Sequence, residues 1–208
     1  VHLAESKGIS VYWLDNDSPS LDAVSLWREK KPFALLSSHK QAGDRSRFDL
    51  AHELGHLILH RRNGTLTGRD VEKEADQFAG ALLLPSDSFL RARPQEIDFH
   101  ALYRLKLRWK VSVAAMIMRA HELGRFTDVQ RRHAYQRMNA TGTLTQEKAA
   151  FQREKSKLHP MIFESLAAKR LTPEDFASSL CLDVSQILEL MPTGKLYMPS
   201  LQERKIIN

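Results

Sequence analysis

Apolar positions follow a strand-like pattern only near the start of the chain and a helical period along most of the rest. Ile9–Leu14 and Pro32–Ser38 are rich in β-branched, aromatic and aliphatic residues and are predicted to be strands. The intervening stretch "LDAVSLW" is ambiguous and is compatible with a short strand. The pattern therefore predicts a small sheet followed by a mostly helical chain.

The first long helix is predicted in the stretch "RSRFDLAHELGHLILH". Ser46 and Asp49 form a capping-box pattern at its start. Asn63 and Gly64 are expected to cap its end, after a last turn rich in cations. Its apolar residues recur at helical spacing and are Phe48, Ala51, Leu54, Leu57 and Ile58.

A second helix is expected to begin at Asp70 as the N-cap and to end before Pro85. Its apolar stripe consists of Val71, Ala75, Phe78, Ala79 and Leu82. Three more helical segments follow, "FHALYRLKLRW", "VSVAAMIMRAHELG" and "TDVQRRHAYQRM". A polar stretch then separates a last helical segment, so we predict an α+β fold with a domain over residues 1–140 and a small helical subdomain over residues 141–208.

Composition narrows the class of protein. The 208 residues are 42% hydrophobic and 27% charged, which is typical of a globular protein. The single cysteine, Cys181, excludes an internal disulfide and fits a reducing compartment. No signal peptide is apparent and no apolar stretch is long enough to cross a bilayer, so we expect a cytoplasmic protein without a membrane partner.

The strongest chemical signal is the motif formed by His52, Glu53 and His56. Residues four apart lie on one face of a helix, so the two imidazoles can bind one tetrahedral metal ion. Glu53 lies about 100° further round the helix, where it can take a proton from a water without binding the ion. The motif therefore predicts a zinc site with Glu53 as the general base.

A catalytic zinc needs a third protein ligand and one open position. Glu72 and Asp76 share a face of the second helix, so Glu72 is the predicted third ligand and Asp76 the acceptor for the free ring N–H of a zinc-bound histidine. Glu74 is the rival ligand, but it lies about 200° from Glu72 on the helical wheel. His60 is interpreted as a helix cap, since a fourth imidazole would close the site to water.

The blocks "RSRFDLAHELGHLILH" and "EKEADQFAGALLLP" resemble the ImmA/IrrE metallopeptidases, over roughly residues 8–125. The resemblance is closest to the branch that carries an N-terminal helix-turn-helix repressor domain. It implies a minimal thermolysin-like (zincin) fold, with a short sheet packed on the motif helix. Carried over to this sequence, it implies His52, His56 and Glu72 as zinc ligands and Glu53 as the catalytic residue.

The resemblance also implies a substrate, because members of this family cleave, or are thought to cleave, helix-turn-helix repressors of phage, mobile-element or stress-response genes. The opening "VHLAESKGIS" is similar to the linker after a fused DNA-binding domain, so the sequence is either a piece of such a protein or a stand-alone peptidase. In related peptidases the substrate lies along an edge strand, and "PFALLSS" is the predicted edge. Tyr103, His100 and Arg104 are within reach as oxyanion donors, but the sequence gives no basis to choose among them, so the donor is left unassigned.

The alternative function is a DNA-binding regulator whose peptidase-like part is a sensory or inactive metal-binding module. The net charge of +6 and pI of about 9.5 fit either an affinity for nucleic acid or a merely solvated basic surface. Residues 105–124 have a helix-turn-helix rhythm, but they are interpreted as core. The rhythm of residues 172–191 leaves both interpretations open.

Overall fold

A computed structural model describes residues 1–14, 22–38, 42–61, 68–144, 147–148 and 151–198. Three strands, β1 (Ser10–Leu14), β2 (Ala23–Arg28) and β3 (Lys31–Ser37), form one sheet in the order β1-β3-β2. β3 runs parallel to β1 and antiparallel to β2. Both predicted strands are therefore present, and the ambiguous stretch supplies the third.

The position of β3 overturns one prediction. β3 is the central strand, so "PFALLSS" is not an edge of the sheet. Glu29 and Lys30, with φ of 49° and 68°, form the two-residue connection that folds β2 back onto β3. Since β1 occupies the other side of β3, the edges among the described strands are β1 and β2.

Helices make up most of the remaining described chain. The predicted helical segments are all present, with a break into several short helices after residue 157. Two short helices were not predicted, the first and the fourth. The helices are α1 (His2–Ser6), α2 (Gly43–Leu59), α3 (Arg69–Leu83), α4 (Ser86–Ala92), α5 (Phe99–Trp109), α6 (Val113–Glu122), α7 (Asp128–Ala140), α8 (Leu158–Ala168), α9 (Pro173–Ser179) and α10 (Val184–Leu190), followed by a 3₁₀ helix (Pro192–Tyr197).

Helix α2 starts earlier than its capping-box pattern predicts. Ala42 is the N-cap, and Ser46 lies inside the first turns, where its hydroxyl donates to the Ala42 carbonyl. A serine within a helix bonds a carbonyl four residues back when no free N–H is available to it, so the predicted cap at Ser46 is wrong. At the other end α2 stops at Leu59 with His60 as the C-cap, and the predicted cap at Asn63 and Gly64 lies outside the described residues.

Helix α3 also begins before its predicted cap. Gly68 is the N-cap, and Asp70 sits in the first turn, where a carboxylate still favours the positive end of the helix dipole. Pro85 follows the end of α3 as predicted and serves as the N-cap of α4. Leu82, predicted to be part of the buried stripe, is 39% exposed.

The first of two hydrophobic cores packs α2, the motif helix that carries His52, Glu53 and His56, against the sheet. In the first, Leu50, Leu54 and Leu57 of α2 pack on the sheet residues Val11 and Leu36. In the second, helices α4 to α7 enclose a fully buried set that includes Leu84, Phe89, Leu102, Met116 and Ile117. Ile58, predicted to face inward, is 59% exposed. The motif helix is thus fixed to the sheet on one side, which leaves its histidine side for α3.

The helices after residue 157 enclose a third core of Phe163, Ala177, Ile187 and Met191, with Tyr12 of β1 packed against it. The chain that leads to them also contacts α2: Ala42 forms an isolated bridge with Gln152, and Arg47 pairs with Glu154. The division at residues 140 and 141 stays a prediction. None of the helices in the described ranges combines the length and apolar character needed to cross a bilayer.

His159 of α8 makes this region sensitive to acid. Its side chain stacks on Tyr12 at 5.3 Å between ring centroids, and burial lowers the pKa of His159, against the opposing charge of Glu5 and a hydrogen bond with the Val11 backbone. The unfolded chain therefore binds a proton below about pH 6.5 while the folded chain does not. Stability contributed by the neutral ring is present above that pH and is lost as the pH falls toward the lowered pKa, by at most about 1.4 kcal/mol per pH unit.

We expect the free energy of unfolding of His159→Phe to depend less on pH below about pH 6.5 than that of the wild type. Urea unfolding between pH 7.5 and 5 measures it, with His133→Phe, at an exposed position of α7, as the matched control. The control should keep the wild-type slope. An unchanged slope in His159→Phe would contradict the assignment.

Candidate metal centre

The metal-site motif lies where α2 and α3 cross at close range. A methyl group built on Gly55 would lie 3.0 Å from the Ala75 Cα, so only a glycine permits this approach without a shift of one helix. Ala75 is itself fully buried. This close approach brings side chains near Ala75 on α3 to the two histidines near Gly55 on α2.

Three candidate ligand atoms converge at this crossing. The two Nε2 atoms of His52 and His56 are 3.0 Å apart, the usual distance of a contact that shares a proton or surrounds a cation. A Glu72 carboxylate oxygen lies 3.1 Å from Nε2 of His52, and the other oxygen lies 3.6 Å from Nε2 of His56. All three residues can present one ligand atom within 4.8 Å of the others. The structure therefore brings together His52, His56 and Glu72, as the sequence predicts.

Asp76 contacts the opposite side of one imidazole. Its carboxylate lies 2.8 Å from Nδ1 of His52. The hydrogen bond to Asp76 raises the pKa of His52; burial opposes the rise, and the charges of Asp76, Glu53 and Glu72 add to it. The surroundings of His52 thus favour a positive charge at this point of the molecule.

The arrangement fits a divalent cation. If the N–H of neutral His52 is donated to Asp76, its Nε2 presents a lone pair toward His56 and Glu72. Lone pairs that converge at 3.0–3.6 Å repel each other unless a proton or a cation lies among them. Two imidazole nitrogens and one carboxylate oxygen form the donor set that zinc takes in catalytic sites with one open position.

Glu53 occupies the buried side of the motif helix. The residue is 6% exposed, and its backbone carbonyl accepts a hydrogen bond from the Ser25 hydroxyl at 3.2 Å. One turn on, the Trp27 indole N–H donates to the Leu57 carbonyl at 3.1 Å. These two bonds pin the edge strand β2 alongside the helix next to Glu53.

His60 does more than end the helix. As predicted it is the capping residue of α2, and its backbone N–H donates to the His56 carbonyl. Its side chain, 9% exposed, lies with Nδ1 3.0 Å from Nδ1 of His56 and with Nε2 3.0 Å from a Glu74 oxygen. Glu74, the rival ligand in the sequence, thus contacts His60 and not the atoms that converge between His52 and His56.

A cleft of about 940 Å³ opens beside the site. Glu72 and Asp76 of α3 line one wall. Residues from α6 and α7 line the facing wall, among them Arg119, His121 and Tyr135. An extended peptide segment fits a space of this size, and the candidate ligand Glu72 lines its wall.

The candidate oxyanion donors named from the sequence do not line this cleft. His100 and Arg104 bond each other on the exposed side of α5, and Tyr103 packs against the helical core. The structure therefore does not bring these three residues to the cleft, and the oxyanion donor stays unassigned. The cleft holds other donors that local sequence did not single out. His121 is one of them, with Nε2 3.2 Å from an Asp128 oxygen.

Comparison with known protein families settles the class. The family model of the IrrE N-terminal-like domain (Peptidase_M78) matches residues 4–121, more than half of the chain. The chain belongs to this family. A comparison with curated proteins gave no match.

Membership in the IrrE N-terminal-like family implies a zincin-like fold and suggests a metallopeptidase. The matched residues run from α1 to α6 and include the helices that hold the candidate ligands. The match shows no fused helix-turn-helix domain, so the resemblance to the fused branch stays a prediction. Residues after 121, including those that form the third core, lie outside the match.

Proposed function

We propose that the protein is a zinc-dependent endopeptidase that hydrolyses a peptide bond in a helix-turn-helix transcriptional repressor and thereby derepresses phage, mobile-element or stress genes. The observation that carries the proposal is the convergence of His52, His56 and Glu72 on one point. Glu72 also lines a peptide-sized cleft, and Glu53 is next to His52 on the same helix. Family membership supports the reaction class. The choice of a repressor as substrate rests on the family resemblance.

Each site residue has a distinct role in this proposal. His52, His56 and Glu72 hold the ion, and Asp76 fixes the ring of His52 so that its Nε2 faces the ion. A bound Zn²⁺ supplies a Lewis acid that polarises the scissile carbonyl and makes water a nucleophile at neutral pH. Glu53 accepts a proton from the attacking water and passes it to the leaving amine.

Strand β2 is the proposed guide for the substrate. It is an edge strand, it is antiparallel to its neighbour, and Ser25 and Trp27 bind it directly to the motif helix. An extended peptide that adds to a sheet edge gains backbone hydrogen bonds that do not depend on its sequence. β2 therefore takes the role that the sequence prediction gave to Pro32–Ser38.

The alternative function, DNA binding, gains little support. Trp109, Val111 and Met116 belong to or pack against the helical core, as the sequence interpretation of residues 105–124 expects. Helices α9 and α10 keep a helix-turn-helix spacing, with Cys181 at φ 54° in the turn. However, residues 158–198 carry three Lys and Arg and five Asp and Glu, and a phosphate-binding surface needs the opposite balance.

The test combines metal analysis with two substrates. Purified protein is expected to carry one zinc per chain by elemental analysis. It should cleave peptides of a proteome-derived library and a full-length helix-turn-helix repressor from the same genome, and a chelator should abolish both activities until zinc is restored. Protein without stoichiometric zinc would overturn the metal assignment. Zinc-loaded protein that cleaves neither substrate would favour the inactive metal-binding module instead.

A further inference from the structure

We propose that His60 and Glu74 form a hydrogen-bonded relay that fixes the ring of His56 as a metal ligand. Both are positioning residues, because they act through His56 and do not contact the proposed ion. The inference rests on the metal site of the proposed function. It adds two residues that neither the family match nor the ligand geometry assigns.

The relay consists of two consecutive contacts. Nδ1 of His56 lies 3.0 Å from Nδ1 of His60, and Nε2 of His60 lies 3.0 Å from a Glu74 oxygen. The first contact joins two residues one turn apart on α2, and the second joins α2 to α3. The chain of contacts therefore closes on the helix that also carries Glu72.

Only one arrangement of protons satisfies both contacts once His56 binds a metal. A metal on Nε2 of His56 leaves the N–H on Nδ1, which must donate to a lone pair on Nδ1 of His60. Neutral His60 then carries its own N–H on Nε2, and that N–H faces the Glu74 carboxylate. Each donor meets an acceptor, and the negative charge of Glu74 is transmitted toward the ligand nitrogen.

His52, the other candidate ligand histidine, is held in the same way but by a single contact. Asp76 accepts directly from Nδ1 of His52 at 2.8 Å. Glu74 lies two residues from Asp76, about 200° away on the wheel of α3, so it approaches the motif helix from another side. The ring of His60 bridges the gap between His56 and Glu74. Each candidate ligand histidine is therefore linked to a carboxylate, His52 directly to Asp76 and His56 through His60 to Glu74.

Helix capping alone does not explain the position of the His60 ring. The cap is made by the backbone, where the N–H of His60 donates to the His56 carbonyl, and any residue provides that bond. The ring is nevertheless packed to 9% exposure between a histidine and a glutamate. A cap would leave the imidazole in solvent at the negative end of the helix.

The experiment compares three variants by zinc affinity, measured by chelator competition. His60→Leu removes both hydrogen bonds and should weaken zinc binding by about 10- to 100-fold. His60→Gln offers an amide oxygen to His56 and an amide N–H to Glu74, so it should restore most of the affinity. Glu74→Gln removes the charge but keeps an acceptor, so its zinc affinity should lie between those of His60→Leu and His60→Gln. His133→Leu on α7 is the control and should bind zinc as the wild type does.

A spectroscopic readout separates positioning from simple packing. Nitrogen-15 NMR of the zinc-loaded protein distinguishes the two histidine tautomers, and His60 should carry its proton on Nε2. A proton on Nδ1 of His60, or equal zinc affinity in His60→Leu and the wild type, would overturn the relay. Complete loss of zinc in His60→Leu together with retention in Glu72→Gln would overturn it as well, since His60 would then be a ligand. Wild-type protein that binds no zinc would instead refute the proposed function.

Discussion

Replacing Glu53 with glutamine is expected to lower kcat for peptide hydrolysis by about 10²- to 10⁴-fold while one zinc per chain stays bound. The amide has nearly the shape of the carboxylate, so the buried position beside β2 is preserved. It cannot accept the proton of the attacking water, so the nucleophile is not generated. Zinc stays because the ligand atoms of His52, His56 and Glu72 are unchanged.

The measurement pairs single-turnover cleavage of the repressor with elemental analysis of the same sample. Glu164→Gln, on an exposed position of α8, is the matched control and should behave as the wild type. A Glu53→Gln protein that keeps both zinc and full activity would show that another group is the base. Loss of zinc in this variant would show that Glu53 is a ligand.

The convergence of His52, His56 and Glu72 could be predicted in large part from the sequence, because it depends on local helix geometry. His52 and His56 are one helical turn apart, and so are Glu72 and Asp76, so each pair shares a face before any tertiary contact forms. Gly55, which has no side chain, lets α3 approach α2 closely at Ala75.

The errors arose where the answer depends on distant parts of the chain. The sequence of β3 does not show whether it is a central or an edge strand. Its place in the sheet depends on where β1 and β2 pair with it. The contact of His60 with Glu74 spans two helices and exists only once their crossing is fixed. The start of α2 was misplaced because Ser46 has the chemistry of a cap but bonds a carbonyl within the helix.

The burial of Lys106 also depends on distant parts of the chain and could not be predicted from local sequence. Nothing in "LKLRW" separates it from its neighbour Arg108, which is exposed, yet Lys106 is fully buried. Its ammonium lies 2.6 Å from Asp44 and 2.8 Å from Glu147, and both carboxylates are almost completely buried. Glu147 also accepts from the backbone N–H groups of Val113 and Ala114. The lysine thereby joins the first turn of α2 to the start of α6.

We expect Lys106→Met to lower the free energy of unfolding by about 3–5 kcal/mol, because it leaves two carboxylates buried without a cation. Urea unfolding followed by circular dichroism measures the change, and Lys169→Met, at the exposed end of α8, should change it little.

If charge burial is the cause, the triple variant Lys106→Met/Asp44→Asn/Glu147→Gln should be less destabilised than the single variant, since no charge is then left in the interior. A triple variant that is at least as unstable would assign the effect to lost packing and hydrogen bonds. In both variants we expect a weaker contact between α2 and α6, the two helices that Lys106 joins. Asp44 belongs to the first turn of α2, and Glu147 binds the first turn of α6.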